Sequence, residues 1–185
     1  MFISKELRKK NIAEYLLYMW QVEDMIRANK LSLDSVKSNV ISAYELPDDS
    51  RQQLVEWYGN LIEMMRTEGV ADAGHLQINK NVIIMLTDLH LRLLASPKVP
   101  FYSAAYYKAL PFVVEFRSKS NGQDKPELEN CFDALYMVWM MKLQKRELSE
   151  ETLKATTEIS KFISMLSLYY NEDEAGRLKL EDDEV

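Results

Sequence analysis

Apolar residues recur at spacings of three and four along almost the whole of this chain, the period of α-helices that bury one face. The first stretch runs through Leu7, Ile12, Ala13, Tyr15, Leu16, Leu17, Tyr18, Met19, Trp20, Val22, Met25 and Ile26. With Ser4 as its cap, it predicts one helix over residues 4–28. Beyond Ile12 the apolar positions cover most of the circumference, which predicts a helix buried inside a bundle. A short second helix is expected over 33–43, capped by Ser32. Asp49 with Gln52 reads as a capping box and opens a third helix to about residue 67. Its stripe is Leu54, Trp57, Tyr58, Leu61, Ile62 and Met65, and Gly69 is its expected C-cap.

A fourth helix is expected over 75–95, rich in Val82, Ile83, Met85, Leu86, Leu89, Leu93 and Leu94. The run Ser96-Pro97-Lys98-Val99-Pro100 interrupts the pattern. The fifth helix, 101–117, is aromatic and holds Pro111, which should kink or split it by removing one backbone donor. After the loop-like stretch 118–126, Asp124 with Glu127 marks a sixth helix to about residue 146. Ser149 caps a seventh, to about residue 170. The segment around Ser149 echoes the one around Ser32, which reads either as a duplicated helical hairpin or, the favoured reading, as shared capping physics. The pattern therefore predicts an all-α fold: a single-domain bundle of about seven helices over 1–170. An acidic tail over 171–185 has too little apolar surface to order itself.

Composition agrees with long helices. The 185 residues include only 5 Gly and 5 Pro, and glycine mostly serves turns. Net charge is −6, but the segment from residue 171 onward carries most of it. The remaining body is nearly neutral and offers nucleic acid no general attraction, since such binding rests on neutralising phosphates. A basic face at Lys5, Arg8 and Lys9 reads as a solvated helix surface. No apolar run approaches the roughly 20 residues of a membrane span. The chain is charged from Lys5 onward, with no signal-peptide pattern, and Cys131 stands alone. These features predict a cytoplasmic protein with a buried, inert thiol.

Catalytic residue types are scarce. With 2 His and 1 Cys, a zinc site lacks ligands. The Glu-x-x-His pairs of di-iron bundles are missing, because Thr87 precedes His90 and Asp72 precedes His75 at that spacing. No glycine-rich phosphate loop or nucleophile elbow occurs. No metal and no cofactor are expected. His90 shares a stripe with Ile83, Leu86 and Leu94, so it reads as a part-buried, hydrogen-bonded structural histidine.

The exception is on the first helix. Glu23 and Asp24 occupy positions where the stripes expect apolar residues. Buried carboxylates need partners, and Arg27 lies four residues after Glu23 and three after Asp24, in reach of either. Two readings follow. Trp20, Glu23, Asp24 and Arg27 form a polar ligand pocket, or the acids and Arg27 form a buried ion pair that sets helix register. Similarly, Tyr102, Tyr106 and Tyr107 line a cleft or an interface, or simply belong to the core and its boundary.

The stretch Asn11-Ile12-Ala13-Glu14-Tyr15, followed by Gln21-Val22-Glu23-Asp24-Met25-Ile26-Arg27, resembles the opening of an uncharacterised all-helical family of Bacteroidetes proteins of similar length. The resemblance implies a cytoplasmic bacterial protein of unknown function and supplies no active-site residues. Two functions remain in view. The first is a non-enzymatic interaction protein with a protein partner or a second copy of itself. The second is a small-ligand-binding protein, or an enzyme of unrecognised type, using the cluster on the first helix.

Overall fold

The computed structural model describes residues 2–120 and 122–180. Among the described residues every regular element is helical: α1 (Phe2–Lys10), α2 (Ile12–Ala28), α3 (Leu33–Asn39), α4 (Asp48–Thr67), α5 (Gln77–Ala95), α6 (Pro100–Lys119), α7 (Glu127–Leu143) and α8 (Glu150–Glu174), with a 3-10 turn at Ile41–Ala43. The all-α expectation stands, with eight helices where the pattern predicts about seven.

The extra helix comes from Asn11. Its backbone is extended, at φ −154° and ψ 100°, and its side-chain oxygen accepts from the Ala13 and Glu14 amides. Its side-chain nitrogen donates back to Glu14 at 2.9 Å. The expected helix from Ser4 therefore breaks, and α1 begins ahead of Ser4. The break relieves the donors of a new helix start at once, which stabilises a corner where periodicity alone continues. Asn11→Ala should lower stability by about 1 kcal/mol. A thermal melt that leaves the midpoint unchanged would count against this cap.

Other caps divide. Ser32 and Ser149 accept from the Ser35 and Thr152 amides as expected. Gly69 follows α4 with φ +68°, a conformation suited to glycine. The capping boxes do not form: Pro47 and Pro126 take the cap positions of α4 and α7 without a side-chain bond. Proline there has no amide to satisfy and its fixed φ precedes a helix well. Pro111 leaves α6 unsplit.

The chain divides into two compact units, Met1–Val82 and Ile83–Val185, where the periodicity suggests one bundle. In the first, α1 packs on α2 and α3 on α4. Ile12, Leu16, Met19, Trp20 and Ile26 of α2 are buried there with Met65 and Leu76. In the second, α6 packs on α7 and α8, and α7 on α8. Its core includes Tyr102, Phe132 and Phe162, all fully buried. Each such ring contributes about 2–3 kcal/mol by leaving water.

The expected acidic tail needs correction in its first part. Helix α8 continues through Glu174, past the boundary placed at residue 170. Asp173 accepts two bonds of 2.9 Å from Arg92, and Ser96 Oγ donates to the Leu180 carbonyl at 2.9 Å. Contacts with α5 and its C-terminal loop, invisible to local composition, order this segment. Residues 181–185 of the expected tail lie outside the described residues.

Candidate functional site

The two acids of α2 turn to different partners. Glu23 is completely buried. Its Oε2 accepts from His75 Nδ1 at 2.7 Å, and its Oε1 accepts from the Leu76 amide at 2.9 Å and Asn79 Nδ2 at 2.7 Å. Three donors on one carboxylate meet the demand that a buried charge be bonded. Leu76 immediately precedes α5, and its carbonyl starts the ladder of that helix. Glu23 therefore caps α5 from a different helix, at the end where backbone N–H groups lack partners and a negative charge is favoured.

His75 lies between this carboxylate and Trp20. The indole and imidazole stack with centroids 4.0 Å apart and planes 12° from parallel. Donation from Nδ1 to Glu23 leaves Nε2 as the free ring position, on a side chain that is 18% exposed. Asn79 is completely buried, and its Oδ1 has no partner among the described residues. The amide orients its nitrogen toward the acid and leaves its oxygen unbonded, because a bond to a carboxylate is worth about twice a neutral one.

Asp24 and Arg27 form a second, adjoining arrangement. Arg27 Nη1 donates to Asp24 Oδ1 at 2.8 Å. Its Nη2 donates to the Val70 carbonyl at 3.2 Å and to the Gly74 carbonyl. Glu68 meanwhile accepts from the Gln77 amide at 2.6 Å. The loop between α4 and α5 is thus tied to α2 by Arg27 near its middle and by Glu23 at its end.

Of the residues singled out by sequence, the structure brings Trp20 and Glu23 together around His75, and joins Asp24 to Arg27. It does not join Glu23 to Arg27. The members of this cluster that sequence reasoning missed are His75 and Asn79, which lie 52 and 56 residues from Glu23. No helical spacing reports contacts at that separation. A usable signal is a buried acid that requires donors, beside a histidine in a loop just ahead of a helix.

Chemically, a carboxylate that fixes one imidazole nitrogen prepares the other as a proton acceptor or ligand. His75 has no company in such a role, since among the described residues no group of three or more His, Cys, Asp or Glu is placed to hold a metal ion.

The second unit contains a different polar core. His90 Nδ1 and the Tyr102 hydroxyl share a 2.6 Å hydrogen bond, and the rings of Tyr106 and Phe162 meet the imidazole in T-shaped contacts. Burial pushes His90 down to about 4, because the aromatic surroundings disfavour its charged form. The same burial raises Tyr102 far above the usual phenol range and Tyr106 to about 12. His90 is the hydrogen-bonded structural histidine its stripe predicts. Cys131 is fully buried and free, and burial pushes its thiol up, away from the reactive thiolate.

No helix among the described residues is long and apolar enough to cross a membrane. Compared with known families, residues 1–177 match a family described as a domain of unknown function (DUF4924). No curated protein and no solved structure matches the chain.

Proposed function

The chain belongs to that family of unknown function, and from its own surface we propose a non-enzymatic helical interaction protein that pairs with a second copy of itself through α6 and α8. The carrying observation is Phe101, a large apolar side chain left 80% exposed at the edge of a groove between these helices. Small residues floor the groove, Ala104 and Ala105 from α6 with Ser160 and Ser164 from α8, and Met165 flanks it. Leu168, 66% exposed, continues the same face of α8 one turn further on.

Small residues allow a partner helix to approach closely, and clustered apolar groups mark association sites more often than single ones do. The rim suits a two-fold pairing. Lys108, Lys161 and Glu158 border the groove, so either copy offers both signs of charge to the other. A cytoplasmic bacterial setting belongs to the same reading. It is supported by the lone cysteine and by the family resemblance of the Asn11–Arg27 stretch.

The alternative is a small-ligand site formed by Trp20, Glu23, Asp24 and Arg27. What weighs against it is that the oxygens of Glu23 are already occupied by His75, Leu76 and Asn79. Arg27 is likewise occupied by Asp24 and two loop carbonyls. The cluster acts as a clasp that closes the first unit.

The test is sedimentation velocity on the full chain and on Phe101→Glu/Leu168→Glu. The unmodified chain should sediment as a dimer at micromolar concentration, and the variant as a monomer with an unchanged circular dichroism spectrum. A wild-type chain that stays monomeric would exclude this pairing.

A further inference from the structure

Toward the other end of the α6–α8 pair lies a recess that the proposed interface does not use. The last turns of α6, the middle of α7 and the start of α8 surround about 230 Å³, walled by Phe112, Phe116, Met137, Val138 and Ile159. The space exists because two positions facing it, Ala134 and Ala155, are alanines. An apolar cavity of about 150 Å³ already accommodates a benzene ring, so this recess has room for one ring with a short chain.

Its polar side selects a charge. Glu115, Lys119 and Glu151 line the recess, giving two carboxylates and one ammonium. Lys119 is paired with Glu115 and also attracts the exposed Glu151, so the lining holds one carboxylate more than it has ammonium groups. A surplus carboxylate suits a ligand that carries positive charge.

We propose that this recess binds a small amphipathic amine, with an apolar body of about one ring against Phe112 and Phe116 and an ammonium group taken by Glu151. The site is separate from the self-association face, so either can fail without the other.

The test is a titration of the full-length protein, followed by amide NMR, with three probes of one shape: 2-phenylethylamine, 2-phenylethanol and 3-phenylpropanoate. The amine should bind saturably and shift the amides of Ala134, Ala155 and Thr152. It should bind more tightly than the alcohol by up to about fivefold, as a partly exposed ion pair allows. The carboxylate should bind weakest. Glu151→Gln, a change at an exposed side chain, should remove the preference for amine over alcohol. Ala155→Leu should fill the recess and weaken both. The proposal is overturned by any of four results: no saturable shifts at about 10 mM probe, an alcohol that binds the unmodified protein as well as the amine, a carboxylate that does so, or an amine preference that survives in Glu151→Gln.

Discussion

Glu23→Ala lowers the unfolding free energy by about 3–5 kcal/mol, the largest effect expected of any single substitution on the polar positions of the chain. The reason is what the carboxylate leaves behind. His75 Nδ1, the Leu76 amide and Asn79 Nδ2 all donate to it. Removing the acceptor strands three donors in a site from which Glu23 itself has excluded water, and each stranded group costs about 1–3 kcal/mol, less whatever water re-enters. The start of α5 loses its cap at the same time. Because a whole domain is stable by only about 5–15 kcal/mol, the variant should be substantially unfolded at moderate urea concentrations. Glu23→Gln should be milder, since one amide oxygen still accepts while the NH₂ group faces another donor. Urea titration of the two variants beside the unmodified chain checks both the size and the order. A loss below about 1 kcal/mol for the alanine variant would mean that the three donors find other partners.

The second large effect is in acid. His90 is only 5% exposed and is depressed from 6.5 to about 4 by burial. In the unfolded chain it takes up a proton near the ordinary value. Between the two values the unfolded state therefore binds more protons, and lowering the pH favours unfolding. The stability associated with neutral His90 is intact above about pH 6.5. It falls as acid is added and levels off below pH 4, after a loss of roughly 3 kcal/mol. His90→Gln retains a partner for the Tyr102 hydroxyl and removes the titration. Comparing unfolding free energies at pH 7 and 4.5, the unmodified chain should lose about 2–3 kcal/mol more than the variant. Equal losses would assign the acid sensitivity to carboxylates elsewhere.

Much of the fold was legible because its causes are local. The stripes Leu54–Leu61–Met65 and Ile83–Leu86–His90 place the buried faces of α4 and α5 within one helical period. Ser32, Ser149 and Gly69 act through bonds or dihedrals that involve only near neighbours. Asn11 was legible in principle, since Asn11 and Glu14 have capping-box spacing. A continuous apolar pattern hid it, because periodicity carries no penalty for a corner. Asp49 and Asp124 show the opposite error: the spacing is right, but a neighbouring proline holds the cap position.

The candidate site was half legible. Acids at apolar stripe positions marked α2 as unusual, and Asp24–Arg27 is a pairing that helical spacing allows. The partner of Glu23 was not legible. Arg27 lay nearest in sequence, yet its guanidinium is spent on Asp24 and on the Val70 and Gly74 carbonyls. A flat fork of donors satisfies several carbonyls at once, whereas a fully buried carboxylate requires donors that converge on it.

By itself the sequence determined an all-helical chain, most of its helix ends, and the need of Glu23 for partners, because propensity, capping and periodicity act within a turn or two; Asp24, expected to be buried as well, keeps a side chain 45% exposed. Only the tertiary structure decided that Glu23 closes on His75, Leu76 and Asn79, that α8 runs on to Glu174 with Leu180 bonded to Ser96, and that Phe101 stays outside. Those outcomes depend on which surfaces meet after the helices form, and burial, not local spacing, selects them.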